Sequence, residues 1–300
     1  MSTGIALPEA QPAAGGRLRL GTSGYQYADW HGPFYPVRLP ARDQLAYYAG
    51  QFNTVELNFT YYRLPTAAGA AGMLRQTPPG FDFFVKAHRS FTHEQDLGAA
   101  DEFLFGIEPL RAANRLAGLL LQFPQAFANT SANRYYLRQI GRRFQGLRLA
   151  VEFRQRAWAR QPVFDFLADQ ALTLVAVDEP ALPALFPRLP VVTNPELAYV
   201  RFHSRNAAKW YRGGEERYDY RYSGAELRDW VPLLRTITAR ARKVFVYFNN
   251  CHSGQAAQNA REMAAIVAAA GLNLDTAGRW NGTEPLPGGL LDPAGALAGA

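Results

Sequence analysis

Eight short apolar segments, separated by stretches of helical character, constrain the fold of this chain more than any other feature. Each has the length and the β-branched or aromatic content of a strand. They cover residues 17–21, 54–58, 81–86, 118–123, 147–154, 172–178, 198–203 and 244–249. Strands that alternate with helices pair in parallel through right-handed crossovers, and a set of eight favours closure into an α/β (β/α)8 barrel of the TIM type. An open doubly wound sheet is the alternative, although no glycine-rich dinucleotide turn follows the first strand.

Helical patterns fill most of the gaps between these strands. The clearest cover residues 42–51, 101–117, 131–144, 162–170, 223–241 and 254–269. Ser223, followed three residues later by Glu226, has the pattern of a capping box. Residues 1–16 and 281–300 are rich in Ala, Gly and Pro without an amphipathic period, which predicts two mobile tails around a single barrel domain over residues 17–280.

Composition restricts the class of protein. Cys251 is the single cysteine, so an intrachain disulfide is impossible and a reducing compartment is favoured. The first residues lack the pattern of a signal peptide, and no run approaches the ~20 apolar residues of a membrane span. We therefore expect a soluble, cytoplasmic protein without a membrane partner. The formal charge of +7 permits polyanionic partners but does not establish one.

Polar residues alternate with apolar ones where the predicted strands end. The helices around a barrel require an apolar outer strand surface, so the polar set is predicted to face the interior. This set comprises Glu56, Asn58, Lys86, Glu152, Arg154, Arg201, His203 and Asn249, with Asp178 ending the sixth strand in the same manner. Barrel enzymes place their catalytic residues at these carboxyl ends, which predicts a charged pocket there.

The predicted pocket balances carboxylates against cations. Glu56, Glu152 and Asp178, with His203, are the candidate catalytic acids and bases. Lys86, Arg154 and Arg201 are the candidate clamps for an anionic substrate, and Asn58 and Asn249 join them as binding residues. Lys86 is expected to stay charged beside the two glutamates. A purely structural ion-pair network is the competing interpretation.

The same balance favours a site without a cofactor. A divalent-metal site gathers carboxylates and neutral imidazoles without equal cationic competition. A divalent metal held by Glu56, Glu152, Asp178 and His203 remains open as the alternative on ligand type.

Three loops add candidates. Residues 21–36 include Tyr25 and Trp30, and can form a stacking platform over the mouth or an aromatic plug. His93, after the third strand, is a candidate acid or base, with an exposed or capping histidine as the alternative. Residues 201–222 interleave cations with aromatics, which suits a phosphate, a nucleotide or a single-stranded nucleic acid, and a solvated loop is the competing interpretation.

An ordered set of motifs runs through these segments. They are GTSGY from Gly21, FNTVELN from Phe52, FVKA from Phe84, QFP from Gln122, VEFR from Val151, YVRFH from Tyr199 and YFNN from Tyr247. In this order and spacing the chain resembles the YecE-like proteins, or domain of unknown function 72. The resemblance implies a TIM-type barrel and no established activity. Ser204 and Cys251 depart from the residues expected there, a glycine and a small hydroxylated residue.

Three functions follow as hypotheses. The first is an enzyme acting on a phosphorylated or otherwise anionic small molecule, with hydrolase, lyase and isomerase chemistry all open. The second is a non-catalytic protein that binds a nucleotide or single-stranded nucleic acid. The third is a metal-dependent phosphodiesterase or nuclease.

Overall fold

The computed structural model of the chain describes residues 15–277, with the side chain of Glu215 left aside. In this range the strands are β1 Arg17–Thr22, β2 Thr54–Leu57, β3 Asp82–Lys86, β4 Leu116–Gln122, β5 Leu149–Glu152, β6 Leu172–Asp178, β7 Leu197–Phe202 and β8 Lys243–Phe248. The helices are α1 Gln44–Gln51, α2 Ala67–Arg75, α3 Arg89–Thr92, α4 Ala100–Ala112, α5 Ser131–Arg143, α6 Gln161–Asp169, α7 Gly224–Arg228, α8 Val231–Thr238 and α9 Gln255–Ala269. The predicted tails lie outside the described residues except for residues 15 and 16.

The sheet runs almost completely around the molecule. From β2 to β8 each strand pairs in parallel with the next, and β8 pairs with β1. Between β1 and β2 a single bridge joins Ser23 to Glu56, and the Gly24 N–H donates to the Glu56 carbonyl at 2.7 Å. The predicted (β/α)8 barrel is confirmed.

A tyrosine from α1 completes the seam between β1 and β2. The Tyr48 hydroxyl accepts a hydrogen bond from the Thr22 N–H at 2.8 Å and donates to the Thr54 carbonyl at 3.1 Å. Gly21 lies at the same seam, where any Cβ would collide with the Thr54 carbonyl oxygen. The phenol therefore satisfies backbone groups that a regular ladder would otherwise pair.

The helix predictions differ from the structure at four places. The predicted helix 223–241 is two helices, α7 and α8, because Pro232 has no N–H and suits only the first turn of a new helix. The capping box of Ser223 and Glu226 is confirmed. The predicted helix 101–117 ends at Ala112, and Leu116 already begins β4. The sequence analysis missed α2 and α3.

Aromatic rings fill the middle of the barrel. Phe84 packs edge-on against Tyr199 with ring centroids 4.5 Å apart, and Tyr199 lies 5.2 Å from Tyr247. Gly118 makes room for Phe84, because a Cβ there would lie 2.8 Å from the ring. This layer separates two groups of buried charges, one at each end of the strands.

At the amino ends of the strands, Arg19 closes the barrel. Its guanidinium pairs with Asp82 at 2.9 Å and Asp275 at 3.0 Å, and it donates to the Gly80 carbonyl at 2.7 Å. All three charged residues are buried. This end of a TIM-type barrel mainly serves stability. Within the described residues, no helix is both long and apolar enough to cross a membrane.

Candidate functional site

Arg201 lies at the centre of the charged group at the carboxyl ends of the strands. It donates to Glu56 from Nε at 2.9 Å and from Nη2 at 2.6 Å, and to Glu152 from Nη1 at 2.8 Å. The Tyr199 hydroxyl also donates to Glu56. The Arg201 side chain is 1% exposed and both carboxylates are fully buried. Its positive charge is thus already matched by two carboxylates.

Arg154 extends this network toward the solvent. It contacts Glu152 Oε1 at 2.9 Å through Nη2 and Glu179 Oε2 at 2.6 Å through Nη1. The ring of Trp210 covers its guanidinium, 5.3 Å from ring centroid to Cζ. Charges of opposite sign therefore alternate along Glu56, Arg201, Glu152, Arg154 and Glu179, and we call these five residues the charged network.

Glu152 is held in its ionised form. Burial alone would raise the pKa of its carboxyl, but Arg201 and Arg154 outweigh that effect and hold the pKa well below its ordinary value. A carboxylate held this firmly does not exchange protons near neutral pH. Glu152 can instead orient the arginines and stabilise positive charge.

Glu179, which the sequence analysis did not select, has the opposite character. Burial raises its pKa to about 7, although Arg154 opposes the shift. Its side chain is 1% exposed, and Oε1 has no hydrogen-bond partner among the described residues. A buried carboxyl of this kind can gain or lose a proton near neutral pH.

The sequence analysis placed Asp178 where Glu179 lies, and that placement is wrong. In the register of β6 and β7, Val177 pairs with Arg201, which faces the interior, and Asp178 pairs with Phe202, which faces the helices. Strand β6 is buried on both faces, so its sequence shows no alternation that would set the phase. The signal that could have revealed Glu179 was the second acidic residue, directly after Asp178.

Asp178 instead ties the strands to the helix layer. It accepts hydrogen bonds from Trp230 Nε1 at 2.6 Å, the Tyr222 hydroxyl at 2.9 Å and Arg205 Nη2 at 2.8 Å. The alternative metal-ligand set that included Asp178 is therefore not assembled. Across residues 15–277, no group of three or more His, Cys, Asp or Glu residues is placed to hold a metal ion.

Lys86 ends β3 beside the charged network. Its Nζ lies 4.6 Å from the centroid of the Tyr61 ring, and none of the described carboxylates pairs with it. Burial and the charge of Arg201 lower its pKa to about 8, against the opposing effect of Glu56 and Glu152. Lys86 therefore remains mostly charged at neutral pH, as expected, but less firmly than an ordinary lysine, because both glutamates are already engaged by Arg201.

His203 is buried behind Arg154. Its Nε2 lies 3.2 Å from Glu152 Oε1, but the approach is not aligned as a hydrogen bond. Asn249 Nδ2 lies 3.1 Å from Nδ1 on the other side of the ring. Burial and the charge of Arg154 lower the pKa of His203 to about 3, so the ring is neutral at physiological pH.

The other predicted binding residues lie in three separate places. Trp30 is fully buried and donates from Nε1 to the Cys251 carbonyl at 2.6 Å, so it belongs to the aromatic plug. His93 is exposed, and its ring lies 5.2 Å from that of Tyr61, the ring that Lys86 also contacts. Tyr25 and Asn58 line a pocket of about 700 Å³ on the far side of the β1–β2 seam.

The basic loop after β7 uses several of its cations internally. Lys209 pairs with Glu216 at 3.1 Å, and Arg221 approaches Glu262 at 3.4 Å. Trp210 is 4% exposed and packs inward on Arg154. The loop therefore covers part of the barrel mouth.

Fold and site together define a (β/α)8 barrel with a charged group at the carboxyl ends of its strands. Comparison with known proteins identifies the family. The family described as "Protein of unknown function DUF72" matches residues 19–282, and the chain belongs to it. The resemblance to the YecE-like proteins is thereby confirmed.

Relatives come from several bacteria. The UPF0759 protein YunF of Bacillus subtilis is 31% identical over 256 residues, which cover 79% of this chain and 91% of that protein. The crystal structure of a DUF72 family protein from Thermotoga maritima is 40% identical with a TM-score of 0.78, covering 84% of this chain and 99% of the other. One from Enterococcus faecalis is 29% identical with a TM-score of 0.76, covering 84% and 95%.

Proposed function

We propose that the chain is an enzyme that binds an anionic substrate at the barrel mouth, with Lys86 as the cation that meets the substrate's negative charge. The observation that carries this proposal is that no described carboxylate pairs with Lys86. Arg154 and Arg201 each already contact two carboxylates. A cation without a counter-ion at the carboxyl ends of barrel strands favours an anionic ligand.

A phosphorylated small molecule is the substrate class that this arrangement fits best. Lysine binds phosphate as a point charge with three donors. A bound anion would raise the pKa of Lys86 from about 8, because negative charge favours the ammonium form. The rings of Tyr61 and His93 would flank the rest of the substrate.

The proposed chemistry is proton transfer. Lys86, with a pKa of about 8, and Glu179, with a pKa of about 7, titrate close to neutral pH. General acids and bases work best when their pKa lies near the operating pH. Glu152 would contribute a fixed negative charge. Hydrolysis, elimination and isomerisation all use such groups, so the reaction class stays open among them.

The test is a ligand screen with a matched pair of lysine variants. Phosphate monoesters, sugar phosphates and dicarboxylates would be screened by thermal shift at pH 7 against wild type, Lys86→Met and Lys243→Met. Lys243 is the control because it is half-exposed at the opposite end of the barrel. Compounds that stabilise wild type and Lys243→Met but not Lys86→Met are expected, and NMR would then follow their turnover. Equal stabilisation of all three proteins would contradict the proposal.

A further inference from the structure

A second pocket lies outside the barrel mouth, under the loop that follows β6. Its volume is about 850 Å³. Residues 180–187 supply an apolar wall, and Arg156, Arg188 and Arg205 bring guanidinium groups to it from three different loops. Glu179 also lines it. A pocket with one apolar wall and several convergent charged groups has the character of a ligand site.

The three guanidinium groups are not equally engaged. Arg205 donates to Asp178 from Nε at 2.9 Å and from Nη2 at 2.8 Å, so its charge is matched. Arg188 approaches the same carboxylate only to 3.6 Å, and its side chain is 40% exposed. Arg156 is exposed, and no ion pair is found for it in the part of the chain that the structure describes. Two of the three arginines can therefore still bind an anion.

Glu179 lines this pocket, and its carboxyl is buried beneath the pocket wall with one oxygen unused. Its Oε2 lies 2.6 Å from Arg154, and its Oε1 is buried without a partner among the described residues. The Phe186 N–H, which lies close to this carboxyl, donates instead to the Arg154 carbonyl at 3.0 Å. Leaving a buried carboxylate oxygen unpaired is costly, and protonation of the carboxyl would reduce that cost.

We propose that this pocket binds a doubly charged oxyanion of the phosphate-ester class through Arg156 and Arg188, and that Glu179 takes up a proton as the anion binds. The carboxyl lies beneath the pocket wall, where its ionised form would repel the anion and its protonated form would not. The apolar wall would receive the organic part of the ester. This site shares Glu179 with the one proposed at Lys86, but its cations are different residues.

Charged groups face Glu179 from both sides. Arg154 and Glu152 lie on the barrel side, and Arg156, Arg188, Arg205 and Asp178 lie around the pocket. Burial raises the pKa of Glu179 to about 7, Arg154 lowers it, and Glu152 adds to the rise. A bound dianion would raise this pKa further, so binding takes up a proton and is tighter at pH 6 than at pH 8.

Calorimetric titration with sulfate tests the proposal, because sulfate stays a dianion from pH 6 to pH 8. Binding that requires a protonated carboxyl with a pKa near 7 weakens about tenfold between these values. Arg156→Gln and Arg188→Gln are each expected to weaken binding by about tenfold at pH 6, the effect of one charge-assisted contact. Arg242→Gln is the matched control, since Arg242 is exposed at the opposite end of the barrel, and it should bind as wild type does.

Glu179→Gln gives the sharpest signature. The amide cannot ionise and so does not repel the anion, and this variant should bind sulfate about tenfold more tightly than wild type at pH 8 and lose the pH dependence. Thermal unfolding of each variant confirms that it is folded before titration. Absence of sulfate binding, equal affinity of wild type at both pH values, or pH dependence retained in Glu179→Gln would each overturn the proposal.

Lys86→Met separates this site from the barrel mouth. Unchanged sulfate binding in this variant supports a distinct pocket. If Lys86→Met abolishes binding while Arg156→Gln and Arg188→Gln do not, the sulfate occupies the barrel mouth. In that case the pocket proposal fails and the proposed function at Lys86 stands.

Discussion

Each end of the barrel holds a buried arginine between two carboxylates, but among the described residues only the carboxyl end has a buried carboxylate oxygen without a hydrogen bond. At the amino end of the strands, Arg19 engages Asp82 and Asp275, and none of the three has an unpaired buried atom. At the carboxyl end, Glu179 Oε1 lacks a hydrogen-bond partner among the described residues, whereas Glu152 Oε1 still pairs with Arg154 at 2.9 Å. Buried charge alone therefore does not identify a functional end, and the unpaired carboxylate oxygen is the feature that distinguishes the two ends.

Removing the central arginine of the charged network should have the largest effect. Arg201→Met leaves Glu56 without a counter-ion and Glu152 with Arg154 alone, and should lower the free energy of unfolding by about 4 kcal/mol. Urea denaturation at pH 7 measures this change. The double variant Glu56→Gln/Arg201→Met, which also removes the unpaired charge of Glu56, should lose less. A loss below about 1 kcal/mol in Arg201→Met would show that the carboxylates do not need it.

Removing the arginine at the other end should cost nearly as much stability but no function. Arg19→Met should lower the free energy of unfolding by about 3 kcal/mol, because Asp82 keeps only the more distant Lys243, at 3.8 Å. The thermal shift produced by any anion found for the wild type should not change. Loss of that shift in a folded Arg19→Met protein would show that the anion binds at the amino end of the strands, which contradicts the proposed function.

Replacing Lys86 should have the opposite effect and raise the free energy of unfolding of the protein. Its folded pKa of about 8 lies below the ordinary lysine value. Below pH 8 the folded state therefore disfavours the ammonium form, which costs the protein stability. This cost fades as the pH rises from 8 toward the ordinary pKa of lysine. Lys86→Met should therefore gain about 1–2 kcal/mol at pH 7, discounted for the partial exposure of the side chain. The gain should shrink above pH 8 in urea titrations. A loss of stability would make Lys86 a structural residue.

His203 should give the smallest effect at neutral pH. His203→Gln keeps a polar group beside Asn249 and should cost about 1 kcal/mol at pH 7.5. The folded pKa of about 3 lies below the ordinary value, so wild type loses stability as pH falls from about 6.5 toward 3. The variant should lose less over that range in acid-induced unfolding followed by circular dichroism. Parallel acid curves would mean that His203 does not stay neutral when buried.

The barrel was predictable because parallel strands buried on both faces appear as short apolar runs. All eight strands lie within a few residues of their predicted bounds. Helix α2 was missed because its sequence, AAGAAGMLR, shows no amphipathic stripe. The split between α7 and α8 depended on Pro232, whose effect a continuous helical pattern concealed.

The site was only partly predictable, because some strands show the alternation that reveals which residues face the interior and others do not. Alternation in β5 and β7 placed Glu152, Arg154 and Arg201 correctly, and the structure brings them together. Strand β6 has no alternation, so the choice between Asp178 and Glu179 required the register with β7. Which groups lack partners depends on distances between five strands and their loops, and no local sequence pattern encodes them. The catalytic and binding roles remain predictions.

Titration of the glutamate side chains by carbon-13 NMR tests the central claim most directly. If the carboxyl end of the barrel holds a proton-exchanging group, one carboxyl resonance of the wild type should titrate with a pKa near 7, and it should be absent from Glu179→Gln. That resonance should persist in Arg19→Met, which alters only the opposite end. A wild-type spectrum in which every glutamate carboxyl titrates below pH 5 would contradict the account.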